Sequence, residues 1–190
     1  MPDGLEIPSP HHPRRPEGHP VTERNPPAGD LGWLPDVPAT GFLLDRGQIE
    51  RIEPNPVHTR TILAQARMHL SSARILATTE DAAAAFVTAY DAARKSLSAM
   101  LAVQGLRVRG GDGRHRVLSE LMQAQLPQHR RKFDWMRQKR NDTQYPDPAK
   151  PTATPNDVTD GIAAAQHGSS ELGEQFLELV TAQRKTGQEL

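Results

Sequence analysis

Cysteine is absent from the 190 residues. Disulfides, thiolate metal sites and cysteine nucleophiles are therefore excluded, and the composition suits a reducing compartment. Long apolar runs are missing too: no stretch approaches the ~20 apolar residues of a membrane span. The opening MPDGLEIPSPHHPRRPEGHP lacks the apolar centre of a signal peptide. The expectation is a soluble, cytoplasmic protein with no membrane association. A net charge of either sign is lacking as well, since 23 Lys+Arg face 23 Asp+Glu. That balance excludes a uniformly basic nucleic-acid binder or a uniformly acidic mimic, but not a local patch.

Proline is missing where it would do most harm to a helix. Twelve of the 17 prolines fall in residues 1–56, none between Val57 and Leu126, and the last five between Pro127 and Pro155. Because proline is excluded from helix interiors, the proline-free stretch is the helical body. Residues 1–40, rich in Pro, Gly, His and charge, are expected to be a disordered tail in which Trp33, Leu34 and Val37 are the residues suited to contact anything. Residues 41–56 form a strand-like or helical lead-in that Pro54 and Pro56 stop.

From Val57 to about Thr79, Ile62, Leu63, Ala66, Leu70, Ala73 and Leu76 recur at helical spacing. A second helix follows, capped by Asp81, striped by Phe86, Tyr90, Ala93, Leu97 and Leu101, and ended near Gly105. A third runs from about Arg114 to Gln125. A fourth starts at Pro127 and continues through Phe133 and Met136 to about Asp142. A last helix from about Asn156 to Arg184 turns Val158, Ile162, Ala165, Leu172, Phe176 and Val180 inward. No run sustains period-two alternation, so the expectation is an all-α, antiparallel four- to five-helix bundle over 57–185, with no sheet and a C-terminal tail at 186–190.

The zero total conceals a gradient. Residues 107–140 hold ten basic and three acidic side chains, net +7, whereas residues 1–56 are net −4 and residues 141–190 net −5. The basic residues are Arg107, Arg109, Arg114, Arg116, Arg130, Arg131, Lys132, Arg137, Lys139 and Arg140, with His115 and His129 among them. Clustered Arg and Lys replace counterions on a phosphate backbone, and Arg grips phosphate with two donors. The competing reading is a solvated helix surface balanced by the acidic last helix. Trp135 and Tyr145 could stack on bases, with partial burial favoured for Trp135.

Other motifs carry less. Gly110-Gly111-Asp112-Gly113 lacks the Gly-Lys-Ser/Thr ending of a P-loop and reads as an interhelix turn. His11, His12 and His19 lie in the tail, and His69 and His167 are too isolated in sequence to form a ligand pair, so no metal site and no cofactor is expected. Nothing marks a nucleophile elbow.

Three segments stand out together: AYDAARKSLSAML (89–101), GRHRVLSELM (113–122) and FDWMRQKRNDTQYPD (133–147). In order and in the Arg140-Asn141-x-x-x-Tyr145-Pro146 ending, the chain resembles the HEPN superfamily of small helical domains found in bacterial toxin-antitoxin and defence systems. Members that cut RNA carry Arg followed after four to six residues by His, with a polar residue next to the Arg. Arg140 and Asn141 match the first half, but Tyr145 holds the histidine position, and an unperturbed phenol titrates near ~10.

The resemblance implies a symmetric homodimer in which two Arg140 segments face one cleft. Arg140 would hold a phosphate, Asn141 orient it, and Tyr145 stack or donate a hydrogen bond. Arg114, His115, Arg130, Arg131, Arg137 and Lys139 would line the approach, and His115 or His129 could supply an imidazole from another helix. The expected function is RNA or nucleotide binding with weak or degenerate ribonuclease activity. A nucleotidyltransferase is the partner that the family analogy implies. The rival is a noncatalytic dimerisation or protein-interaction module.

Overall fold

A computed structural model describes residues 38–111, 113–145 and 147–168, together with 173, 177 and 178. The tail through residue 37, Leu172, Phe176 and Val180 of the last helix, and residues 186–190 lie outside the described residues.

The order is α1 (Pro38–Asp45), β1 (Ile49–Arg51), α2 (Pro56–Leu76), α3 (Ala82–Val103), β2 (Leu106–Val108), α4 (Arg114–Gln125), α5 (Pro127–Gln144) and α6 (Pro155–Gln166). Each long helix begins where the local chemistry demands it. The Asn55 side chain accepts from the His58 amide ahead of Pro56, and Asp81 accepts from Ala84. Thr154 and Asp157 close a capping box at α6.

Helix α3 is the axis of the bundle. Thirteen of its 22 residues are buried, and it packs against α2, α4, α5 and α6. The apolar stripes supply the core: Leu63, Ala66, Leu70 and Ala73 from α2, Val117, Leu118, Leu121 and Met122 from α4, Phe133 and Met136 from α5, and Val158 and Ala165 from α6. Leu177, beyond α6, joins the same core. The all-α bundle is thus what the periodicity implies.

Two features depart from the sequence reading. The lead-in is both helical and extended, since α1 starts at Pro38, inside the stretch assigned to the tail, and is followed by β1. There is also a small sheet. β1 pairs antiparallel with β2 in the register Ile49↔Val108, Glu50↔Arg107 and Arg51↔Leu106. Three-residue strands are too short to show alternation. Ile49 and Leu106 bury one face of the ribbon against the bundle. Gly105 links α3 to β2 at φ +76°, where a Cβ would lie 2.9 Å from the Ile52 carbonyl oxygen, so only glycine makes this exit.

No helix among the described residues is long and apolar enough to cross a membrane.

Candidate functional site

Helix α5 presents Phe133, Arg137 and Arg140 at positions i, i+4 and i+7, which share one face. Phe133 stacks on Tyr90 of α3, with ring centroids 5.7 Å apart, and so seats this face over the middle of α3. From the first turn of α4, His115 approaches the same ring. Its Nδ1 lies 2.7 Å from the Tyr90 hydroxyl. Arg94, one turn along α3 from Tyr90, and Arg140 both impose their charge on Tyr90 and His115, while Arg137 acts on Tyr90 and Arg114 on His115. Three helices therefore converge on one cationic cluster holding an imidazole and a phenol.

The protons in this cluster are fixed by burial. The Tyr90 phenol is pushed up to about 12, chiefly by desolvation, so it keeps its proton at any physiological pH. Tyr90 is 1% exposed, and a buried hydroxyl hydrogen needs an acceptor. His115 Nδ1 is the acceptor within reach, which assigns the imidazole proton to Nε2. His115 is itself lowered from its ordinary value, first by burial and then by the charges of Arg140, Arg94 and Arg114. Neutral His115 is thus a hydrogen-bond donor through Nε2, not a base.

The basic block divides into paired and unpaired cations. Arg107 and Arg109 bind Glu50 at 2.7 and 3.3 Å, and the hydrogen bond from Arg107 is the main influence holding the Glu50 carboxyl below its usual range. Arg116 pairs with Glu120 and Arg130 with Asp134. Arg137 lies 3.8 Å from Asp134, with its Nε buried and unbonded among the described residues. Lys139 pairs with Asp157 of the acidic last helix at 3.4 Å. Such pairs are worth little to stability when exposed, but they occupy the cations. Arg114, Arg131, Lys132 and Arg140 have no carboxylate partner among the described residues. Arg140 Nη1 donates to the neutral Asn141 Oδ1 at 3.1 Å.

Of the residues expected from sequence, Arg140, Asn141, Arg114, His115 and Arg137 come together. Arg131 is exposed on α5, and Arg130 and Lys139 are engaged in ion pairs. Tyr145 is 72% exposed at the end of α5, and its hydroxyl has no partner among the described residues. Near the end of α5 the buried tie is Thr143. This buried residue donates to the Lys139 carbonyl at 2.8 Å and accepts from the Ala153 amide at 3.0 Å. Trp135 is half-buried, edge-on to Phe86 at 5.5 Å. His129 lies away from the cluster and faces His167, with ring centroids 5.0 Å apart. His69 stands 3.2 Å from Asp91, which also holds Arg94. No group of three or more potential metal ligands exists among the described residues.

Sequence reasoning missed Tyr90, Arg94 and the His129–His167 pair. The first two sit on a helix read as core. The third joins residues 38 positions apart, and nothing local connects them.

The fold is a helical bundle in which α3, α4 and α5 bring arginines around the Tyr90–His115 pair. A family model for the HEPN domain matches residues 59–167, more than half of the chain, and the chain belongs to this family. Helix α1 and strand β1 precede the matched region. No curated protein and no solved structure matches the chain. Membership suggests a nucleotide- or RNA-related module or a protein-interaction module.

The lowered His115 and His129 carry a consequence for stability. His129 is shifted by burial first and by His167 second. The unfolded chain accepts protons on both residues below about pH 6.5, and the folded chain resists them, so stability is full above that pH and is lost as pH falls below it. The melting temperature is expected to drop between about pH 7.5 and pH 5.5. The slope should flatten in the His115→Gln, His129→Gln double variant. A double variant with the full wild-type slope would place the acid sensitivity elsewhere.

Proposed function

We propose that this chain binds RNA, or the phosphates of a nucleotide, at the cluster of Arg94, Arg114, His115, Arg137, Arg140 and Asn141, with little or no cleavage. The observation that carries this reading is Arg140. It has no carboxylate partner among the described residues, it is held by Asn141, and its charge acts on the His115–Tyr90 pair. A phosphate there would meet guanidinium donors of Arg114 on α4 and Arg140 on α5 and the Nε2–H of His115, beside Arg94, which Asp91 holds.

The proton positions support binding over catalysis. General-base chemistry needs an accessible lone pair near neutrality. The His115 lone pair is taken by the Tyr90 hydroxyl, and Tyr145 stands where the family's nucleases carry histidine. The test is fluorescence anisotropy of the full chain with single-stranded RNA over a salt series. Affinity should fall steeply with salt, as it does when several phosphates are neutralised. The absence of RNA or nucleotide binding at low salt would sink the reading.

A second reading rests on helix α2. Val57, Met68 and Ile75 are exposed by 71%, 60% and 67%, and at ~100° per residue they fall within about 20° of one line. This stripe supports a homodimer formed through α2. Met68→Lys is expected to convert a dimeric mass in sedimentation to a monomeric one. An unchanged mass would reject α2 as the interface.

A further inference from the structure

A cavity of about 230 Å³ opens between α5 and α6. Phe133, which also stacks on the Tyr90 ring, forms one wall, and Leu97, Met122, Met136, Ala163 and Ala164 form the rest of the apolar lining that matters here. The polar groups at this cavity are His129, Lys132 and His167. Helices α3 and α4 contribute only apolar lining, so among the described residues Lys132 and His167 are the titratable groups that face His129 there.

We infer that this cavity is a binding site for a small amphipathic carboxylate, a flat or branched apolar body of about ten carbon atoms carrying one anionic head. Size sets the body. An apolar cavity of ~150 Å³ accepts benzene, so this one has room for a bicyclic ring. The Leu, Met, Phe and Ala walls disfavour a nucleobase, whose edge donors and acceptors would find side-chain partners only at His129, Lys132 and His167.

Charge sets the head. Lys132 is exposed on α5 and has no carboxylate partner among the described residues. His129 lies in the first turn of α5, where the helix dipole favours an anion. The two imidazoles are 5.0 Å apart, and His129 is held below its ordinary value by burial first and by His167 second. A carboxylate beside His129 adds an attraction that offsets these effects and favours the protonated imidazole. The site is separate from the Arg140 cluster and does not depend on RNA binding there.

The experiment titrates the full chain with fluorescent 2-naphthoate, using 2-naphthamide as the neutral comparator. Naphthoate is expected to bind about ten times more tightly than naphthamide, as a charge-assisted hydrogen bond would provide. Its affinity should strengthen as pH falls from about 7 to about 5.5, because a bound carboxylate favours the protonated form of His129 that burial disfavours in the free site. Lys132→Glu, at an exposed position, should remove most of the preference for the anion. Ala163→Trp, exposed on α6, should block naphthoate binding while the melting temperature stays at the wild-type value. Equal binding of naphthoate and naphthamide would overturn the proposal, as would tighter binding of AMP than of naphthoate in an Ala163→Trp-sensitive manner. Failure of naphthoate to bind at about 1 mM would also overturn it. A change of oligomeric mass in Ala163→Trp without naphthoate binding in the parent would instead assign the groove to a second copy of the chain.

Discussion

Arg140→Ala is expected to weaken RNA binding by roughly 10- to 100-fold at about 100 mM salt, without lowering the melting temperature. A hydrogen bond to a charged group contributes about 1.5–3 kcal/mol, and each ~1.4 kcal/mol is tenfold in affinity. Arg140 delivers that contribution in full because no carboxylate among the described residues must be given up first. Among the described residues its side-chain hydrogen bond is to Asn141 Oδ1. Arg130→Ala, which removes a cation already bound to Asp134, should cost much less. Tyr145→Ala, at a residue 72% exposed, should change affinity by less than about twofold. The slope of log K against log salt should fall by about one for Arg140→Ala. Equal losses for Arg140→Ala and Tyr145→Ala would return the site to the linear Arg-x-x-x-x-Tyr motif. An unchanged Arg140→Ala would remove it from α5 altogether.

The helices were legible because they obey rules that act within a few residues. Asp81 and Pro127 mark starts, Gly105 marks an end, and burial of Leu63, Ala66, Leu70 and Ala73 in α2 reproduces a spacing visible in the letters. The β-ribbon was not legible. Its pairing of Glu50 with Arg107 spans 57 residues, and each strand alone carries only three side chains, too few to define a period. The same ribbon disposes of two of the ten basic residues through Glu50, so the misread sheet also inflated the apparent charge of the site.

The candidate site was half legible for a similar reason. Arg140, Asn141 and Arg137 are neighbours in sequence, and composition alone points to them. The residues that decide their chemistry come from elsewhere. Tyr90 sits in an unbroken apolar stripe on α3, where its ring suits the core and only its hydroxyl betrays a second role. Whether His115 or His129 joins Arg140 depends on the rotation of α4 and α5 about α3, which no local pattern encodes. The structure selects His115 and places His129 against His167. The charge balance falls between the two readings open at the outset. Lys139 is indeed neutralised by Asp157 of the last helix, and Arg140 has no carboxylate partner among the described residues.

Phe86→Ala is expected to destabilise the fold by about 3–5 kcal/mol, the upper range for losing a buried aromatic ring. The ring is fully buried and meets Trp135 of α5 edge-on. On its other side it fills the space that a side chain at Gly161 of α6 would need, since a Cβ there would lie 3.0 Å from Phe86 Cε2 and 3.2 Å from Cδ2. One ring thus spaces three helices, and backbone on the α6 side leaves little to collapse into the void. The pairing with Gly161 gives a sharper test than the deletion. Gly161→Ala alone sets a gain of about 0.5–1 kcal/mol from removing glycine from a helix against the displacement of a packed ring. In a Phe86→Leu background the displacement disappears while the helix gain remains. Gly161→Ala should then stabilise that variant by about 1 kcal/mol in urea denaturation, with the two substitutions coupled rather than additive. Strict additivity would mean that α6 is held at its present distance by other contacts. The same spacing sets how far Arg137 and Arg140 stand from Tyr90, because Phe86 and Tyr90 are successive turns of α3 and Trp135, Arg137 and Arg140 ride on one helix. Phe86→Leu should therefore lower RNA affinity without removing any charge, by shifting α5 relative to His115.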